Sequence, residues 1–125
     1  MKGIIFEILG APRTKKNSQR IVVAGNRPRI VPSAAAEEYE HSALWQLPRL
    51  AKPLDTPVNV RCVYYMPTAR RVDLVNLLEA TCDILVRGHV LQDDNSRIVV
   101  SHDGSRVLID RDHPRVEITI TEVGE

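Results

Sequence analysis

A chain of 125 residues, 43% of them hydrophobic, has room for one domain with one core, expected here over residues 1–125. Its seventeen basic residues nearly balance its sixteen acidic ones, so net charge gives no argument for a nucleic-acid partner. No apolar run approaches the ~20 residues that span a membrane. The opening MKGIIFEILG is too short, and meets Glu7 too early, for an export signal, which points to the cytosol.

GIIFEIL (Gly3 to Leu9) is a strand by composition. GAPRTKKNSQR is a polar basic loop, with turns marked by Pro12 and Asn17. RIVVAGNRPRIV then predicts a β-hairpin turning at AGNR, with Pro28 suited to an edge. Between Arg13 and Arg29 the chain carries Arg13, Lys15, Lys16, Arg20, Arg27 and Arg29 and no acid. Such an arm can contact backbone phosphates largely without regard to sequence; it can also be an ordinary solvated loop and hairpin.

Ser33 can cap a helix over about Ala34 to Leu47, which Pro48 stops. VNVRCVYYMP (Val58 to Pro67) predicts a strong strand, with Val58, Val60, Cys62 and Tyr64 on one face and Asn59, Arg61 and Val63 on the other. A second helix is expected from near Asp73 to Arg87, closed by Gly88. At 100° per residue Leu74, Leu78, Thr81 and Leu85 share one arc, flanked by Leu77. Asn76, Ala80, Asp83 and Arg87 share the opposite arc, bordered by Asp73 and Glu79. SRIVVS and PRVEITITEV predict two closing strands, and RVLID either a further short strand or the second half of a bent one. The expected fold is α+β: a small mixed sheet packed against two helices, with an N-terminal basic loop and β-hairpin. Cys62 and Cys82 do not form a CxxC pair and read as reduced, small core residues.

The chemistry concentrates in RRVDLVNLLEATCDILVRGHVLQDD (Arg70 to Asp94). The second helix supplies Asp73, Asn76 and Asp83, and the adjacent Asp93 and Asp94 follow just before a strand. Grouped carboxylates repel one another, which favours a bound cation or a raised pKa. Mg²⁺ suits an oxygen-only set that leaves waters in place, and such an ion activates water for attack on a phosphate. Arg70 and Arg71 can hold phosphate oxygens through bidentate hydrogen bonds. Together these parts describe a phosphodiester hydrolase. The same spacing also describes a solvated helix face followed by an acidic turn. None of His41, His89, His102 and His113 joins the acids in a recognisable catalytic pattern, and SHDGS lacks the Gly-x-Ser-x-Gly of a nucleophile elbow.

VDLVNLLEATCDIL and LQDDNSRIVV resemble, in order and spacing, the RusA family of Holliday junction resolvases. These are small dimeric Mg²⁺-dependent endonucleases often carried by prophages. The family motif runs Arg-Asp-x-Asp-Asn-x-x-Lys, then Asp-x-Leu, then Asp-Asp. The resemblance extends to the opening strand, the APRTKKN loop, the hairpin and PRVEITITE, loosely at the N-terminus and closely at the centre. It places the first metal-binding aspartate on Asp73, the asparagine on Asn76, the mid-helix aspartate on Asp83 and the late pair on Asp93 and Asp94, with Asp94 the essential member. It implies Mg²⁺, with Mn²⁺ as a possible substitute, held by Asp73 and Asp94 with help from Asp93. It implies catalytic roles for Asp73, Asp94, Asn76 and Asp83, to which Glu79 is added as a compensating carboxylate, and DNA contacts from Arg13, Lys15, Lys16, Arg20, Arg70 and Arg71. The partners implied are branched DNA, above all four-way junctions, and a second copy of the chain as a homodimer.

Two departures from the motif are serious: Val75 stands where the family has its second aspartate, and Glu79 where it has a lysine. With Asp73 as zero, Val75 projects at about 200° and Glu79 at about 240°. Glu79 therefore lies on nearly the same side one turn later, where its longer arm can return a carboxylate. The alternative is a catalytically weakened or inactive branched-DNA-binding protein of the same fold. A third, from another class, is a structural protein whose acids face solvent.

Overall fold

The computed structural model describes residues 3–14 and 19–124. Its elements are β1 (Gly3–Leu9), β2 (Gln19–Ala24), β3 (Arg27–Pro32), α1 (Ala34–Gln46), β4 (Val58–Met66), α2 (Leu74–Arg87), β5 (Val99–Ser101), β6 (Arg106–Ile109) and β7 (Arg115–Glu122). A five-stranded mixed sheet and a two-stranded sheet pack with two helices, the α+β arrangement that the strand and helix patterns predict. β2 and β3 pair antiparallel with Ala24 opposite Arg27, so Gly25 and Asn26 form the turn. Gly25 adopts φ +66 there, a conformation glycine reaches without steric cost.

β4 organises the larger sheet. It pairs antiparallel with β7, which pairs in turn with β1. On its other edge it takes two parallel partners, β5 at Val58–Asn59 and β6 at Val63–Met66. β5 and β6 are thus separate short strands that follow one another along one edge of β4, the first of the two readings predicted for RVLID. Parallel neighbours require a crossover connection, and between β4 and β5 that crossover carries α2. At the far edge, the Gln46 side chain accepts from the Leu9 amide (2.7 Å) and donates to the Leu9 carbonyl (3.1 Å). The end of α1 thereby satisfies backbone groups of the outermost strand that would otherwise be open to another chain.

The inner sheet face contributes Ile8, Val60, Cys62, Tyr64, Val116, Ile118 and Ile120 to one core, against Ala43 and Leu47 of the α1 end and Leu77, Ile84 and Leu85 of α2. Val63 lies on the other face of β4, as alternation predicts, and is only 2% exposed there. Its register neighbours Glu117 and Arg106 have long stems that can cover apolar surface. Buried α2 residues are Leu77, Thr81, Cys82, Ile84 and Leu85. The buried arc is thus rotated from the predicted one: Leu74 and Leu78 are only partly covered, and Leu77 is central. Both cysteines are free and buried, and burial pushes each thiol up to about 12.

The two helix ends follow local rules with one exchange of roles. Ser33 caps α1, its hydroxyl accepting from the Ala36 amide at 3.1 Å. At the end of α2, the His89 amide donates to Val86 (3.1 Å) and the Val90 amide to Leu85 (2.9 Å), the Schellman pattern. The left-handed residue is His89, with φ 62, not Gly88, which the sequence marks as the turning residue. Gly88 is needed for space, because a Cβ there would overlap Leu47 Cδ1.

Candidate functional site

The rotation of α2 on the sheet is set by a buried polar contact. Thr81 Oγ1 donates to the Leu77 carbonyl at 2.9 Å. Its single hydrogen being spent there, the 2.6 Å contact with Tyr64 Oη is donated by the tyrosine. This pins the apolar arc of α2 to the centre of β4 and leaves Asn76, Glu79, Ala80 and Asp83 on the outward side.

That side lines a cavity of about 350 Å³, reached also by Asp94 from the loop after α2, by Tyr39 and Glu40 of α1, and by Arg13 and Thr14. Asp94 arrives through a chain of local contacts. Leu54 and Leu91 form a bridge, with the Leu54 amide donating to Val90 and the Gln92 amide to Leu54, each at 2.9 Å. The next turn is organised by Asp93, whose Oδ1 accepts from the Asp94 amide at 2.7 Å and whose Oδ2 accepts from Asn95 Nδ2 at 3.1 Å. Both Asp93 oxygens are engaged inside the loop, and Asp93 does not line the cavity, whereas Asp94 does.

Asp73 opens onto a second cavity of about 540 Å³ with Arg70 and Arg71. Arg13 and Thr14 line both cavities and therefore lie between them. Asn76 connects the two, since it lines the first and donates from Nδ2 to Asp73 Oδ2 at 3.2 Å. Asp73 occupies the N-cap position of α2 but makes no side-chain cap, so its carboxylate is not used to terminate the helix. Val75 is 73% exposed and lines neither cavity, whereas Glu79 lines the first. Lys15 and Lys16 lie outside the described residues, as does the side chain of Arg20.

Among the described residues no three His, Cys, Asp or Glu side chains are gathered tightly enough to form a metal cage. The first cavity is nevertheless bordered by oxygen acceptors: the carboxylates of Glu79, Asp83 and Asp94, the Asn76 amide and the Thr14 hydroxyl. Mg²⁺ is commonly held through one or two carboxylates, with waters and substrate phosphate completing its shell. An open set of oxygen donors fits that requirement; it would not suit a metal needing a closed protein cage.

Thr14, Tyr39 and Glu40 were not singled out from the sequence as site residues. Thr14 is buried, and its place between the cavities depends on how the loop after β1 folds back. Glu40 pairs with Arg87, joining α1 to the outward side of α2. No local spacing signals that pair, since its members lie on different helices.

Among the described residues no helix is long and apolar enough to cross a membrane, and no curated protein matches the chain. The family model described as Endodeoxyribonuclease RusA matches residues 10–121, a span that includes the basic loop, the hairpin, both helices and both cavities. The chain therefore belongs to the RusA endodeoxyribonuclease family.

Proposed function

We propose that the chain is a structure-selective endonuclease that resolves four-way DNA junctions by Mg²⁺-dependent phosphodiester hydrolysis, acting as a homodimer. The observation that carries this reading is the meeting of Asp94 with Asn76, Glu79 and Asp83 at one cavity, beside Arg13 and next to the arginine-lined cavity that holds Asp73.

Asp94 and Asp73, with Glu79, are the residues that would hold the ion. When bound it supplies Lewis-acid polarisation of the phosphoryl oxygens and activation of an attacking water. Arg70 and Arg71 would grip non-bridging phosphate oxygens in the larger cavity, and Arg13, between the two, would meet the charge that develops as the strand breaks. Asn76, already bonded to Asp73, would orient that carboxylate. Asp83 would accept a proton from water at the cavity wall. Asp93 would act at a distance from the reacting atoms, by shaping the turn that presents Asp94. The basic arm around Lys15, Lys16 and Arg20 would add sequence-independent phosphate contacts, and the two-fold symmetry of a four-way junction suits two copies of the chain.

Because Val75 is exposed while Glu79 lines the cavity, the departures from the family motif are read as compensation. Cleavage of a mobile four-way junction with Mg²⁺ or Mn²⁺ tests this. Wild-type chain is expected to introduce symmetric nicks, and Glu79→Gln to slow them by about a hundredfold, the scale of a lost acid–base or ligand group. Unchanged cleavage by Glu79→Gln would remove compensation. Junction binding with no cleavage in either metal would favour the second reading, a branched-DNA-binding protein without activity, for which the lack of a tight carboxylate cluster among the described residues is the motivating observation.

A further inference from the structure

The β2–β3 hairpin stands apart from the five-stranded sheet, although two-stranded hairpins alone are marginal in water. Its register places Ile21 opposite Ile30 and Val23 opposite Pro28, and directly opposite residues share a face. That face is apolar and open: Ile21, Val23 and Ile30 are 71%, 70% and 69% exposed. The other face carries Arg29 opposite Val22 and Arg27 opposite Ala24. From Ile8 to Ala36 the chain contains no acid and six basic residues.

These two properties select the occupant. An arm with six cations and no acid repels a second copy of itself and attracts a polyanion. Aliphatic side chains gain nothing from phosphates, and the apolar surface that DNA offers is the faces of its bases. In a continuous duplex those faces are stacked, and exposing them costs a few kcal/mol per step. At the centre of a branched junction stacking is already interrupted. We infer that the Ile21–Val23–Ile30 face of the hairpin packs against unstacked bases at the crossover of a branched DNA, while Arg27 and Arg29 face its phosphates. This deepens the functional reading and rests on it: the hairpin distinguishes a junction from a duplex, separately from the cavities that would cut it.

The test compares the wild-type chain with the Ile21→Thr/Ile30→Thr variant, whose β-branched replacements keep strand propensity. Both are titrated, without divalent metal, onto a synthetic four-way junction carrying 2-aminopurine at the crossover and onto a linear duplex of equal length. The variant is expected to bind the junction about tenfold more weakly, given the apolar burial it forfeits. Its duplex affinity and sedimentation coefficient should be unchanged, and the fluorescence rise that marks unstacking should be lost. Ile21→Phe, which stays apolar and strand-forming, should retain junction affinity; a loss there as well overturns the proposal. Equal junction binding by wild type and double variant overturns it while leaving the nuclease reading intact. A fall in sedimentation coefficient also overturns it, assigning the face to contact between copies. Failure of the wild type to bind any junction overturns the nuclease reading and this one together.

Discussion

The contact that rotates α2 into place can be measured through the Tyr64–Thr81 pair. In Tyr64→Phe, Thr81 keeps its 2.9 Å bond to the Leu77 carbonyl, so no donor is stranded. The cost is then one net hydrogen bond, about 1 kcal/mol. In Thr81→Val the shape is retained, but the Tyr64 hydroxyl, in a residue only 1% exposed, loses its 2.6 Å acceptor. A buried unsatisfied hydroxyl costs about 1–3 kcal/mol. The nearby Cys62 thiol is a weak substitute acceptor that keeps the value toward the lower end. With both partners removed there is nothing left to satisfy, so the double variant should be less destabilised than the sum of the singles by about 1–2 kcal/mol. Urea unfolding with an unchanged m-value is the assay. Additivity within about 0.5 kcal/mol would refute the coupling, and with it the claim that this pair sets the orientation of the site helix. Weakened junction cleavage in Thr81→Val, at temperatures where the variant is folded, would carry the link through to the site.

Gly88→Ala should destabilise by about 1–3 kcal/mol, because its new methyl must displace the buried Leu47 side chain. The neighbouring His89→Gly should stabilise by about 1 kcal/mol, by relieving a left-handed side chain at φ 62; thermal unfolding reads both. Asp110 is held below its ordinary value of 3.8 by the hydrogen bond from Arg115. Its contribution is therefore present above that value and lost as pH falls through the lowered one. The stability difference between wild type and Asp110→Asn should begin to shrink below pH 3.8 and vanish once the pH lies below the lowered value, and salt should reduce it at neutral pH because the group is exposed. With both thiols pushed up to about 12 by burial, Cys62 and Cys82 should resist a thiol reagent at pH 8 in the native protein and react once urea unfolds it. Rapid native labelling would contradict their burial.

Much of the architecture is legible in short-range pattern. Ser33 before a helical stretch, Pro48 after it, AGNR between two apolar arms and the alternation of VNVRCVYY each carry a local physical cause, and each element forms where that cause acts. The errors arise where a neighbour from elsewhere in the chain intervenes. Alternation correctly puts Val63 on the other face of β4 but does not foretell that it is buried there. Gly88 marks the end of α2 because Leu47, forty-one positions earlier, occupies the space beside it, while His89 takes the unusual backbone angle.

The candidate site divides along the same line. Periodicity alone places Asn76, Glu79, Ala80 and Asp83 on one side of a helix, since 100° per residue is a property of the backbone. Nothing local reveals that Asp93 is spent organising its own turn while Asp94 turns to the cavity, or that Asp73 opens onto a neighbouring arginine-lined space and reaches Asp94's side through Asn76. Those outcomes depend on where the crossover lays α2 on β4 and where the Leu54–Leu91 bridge pulls the following loop. Chemistry-bearing residue types and their helical phase are local and can be read from spacing. Which of them share one cavity is set by contacts between residues distant in the chain, and these exist only once the core has packed.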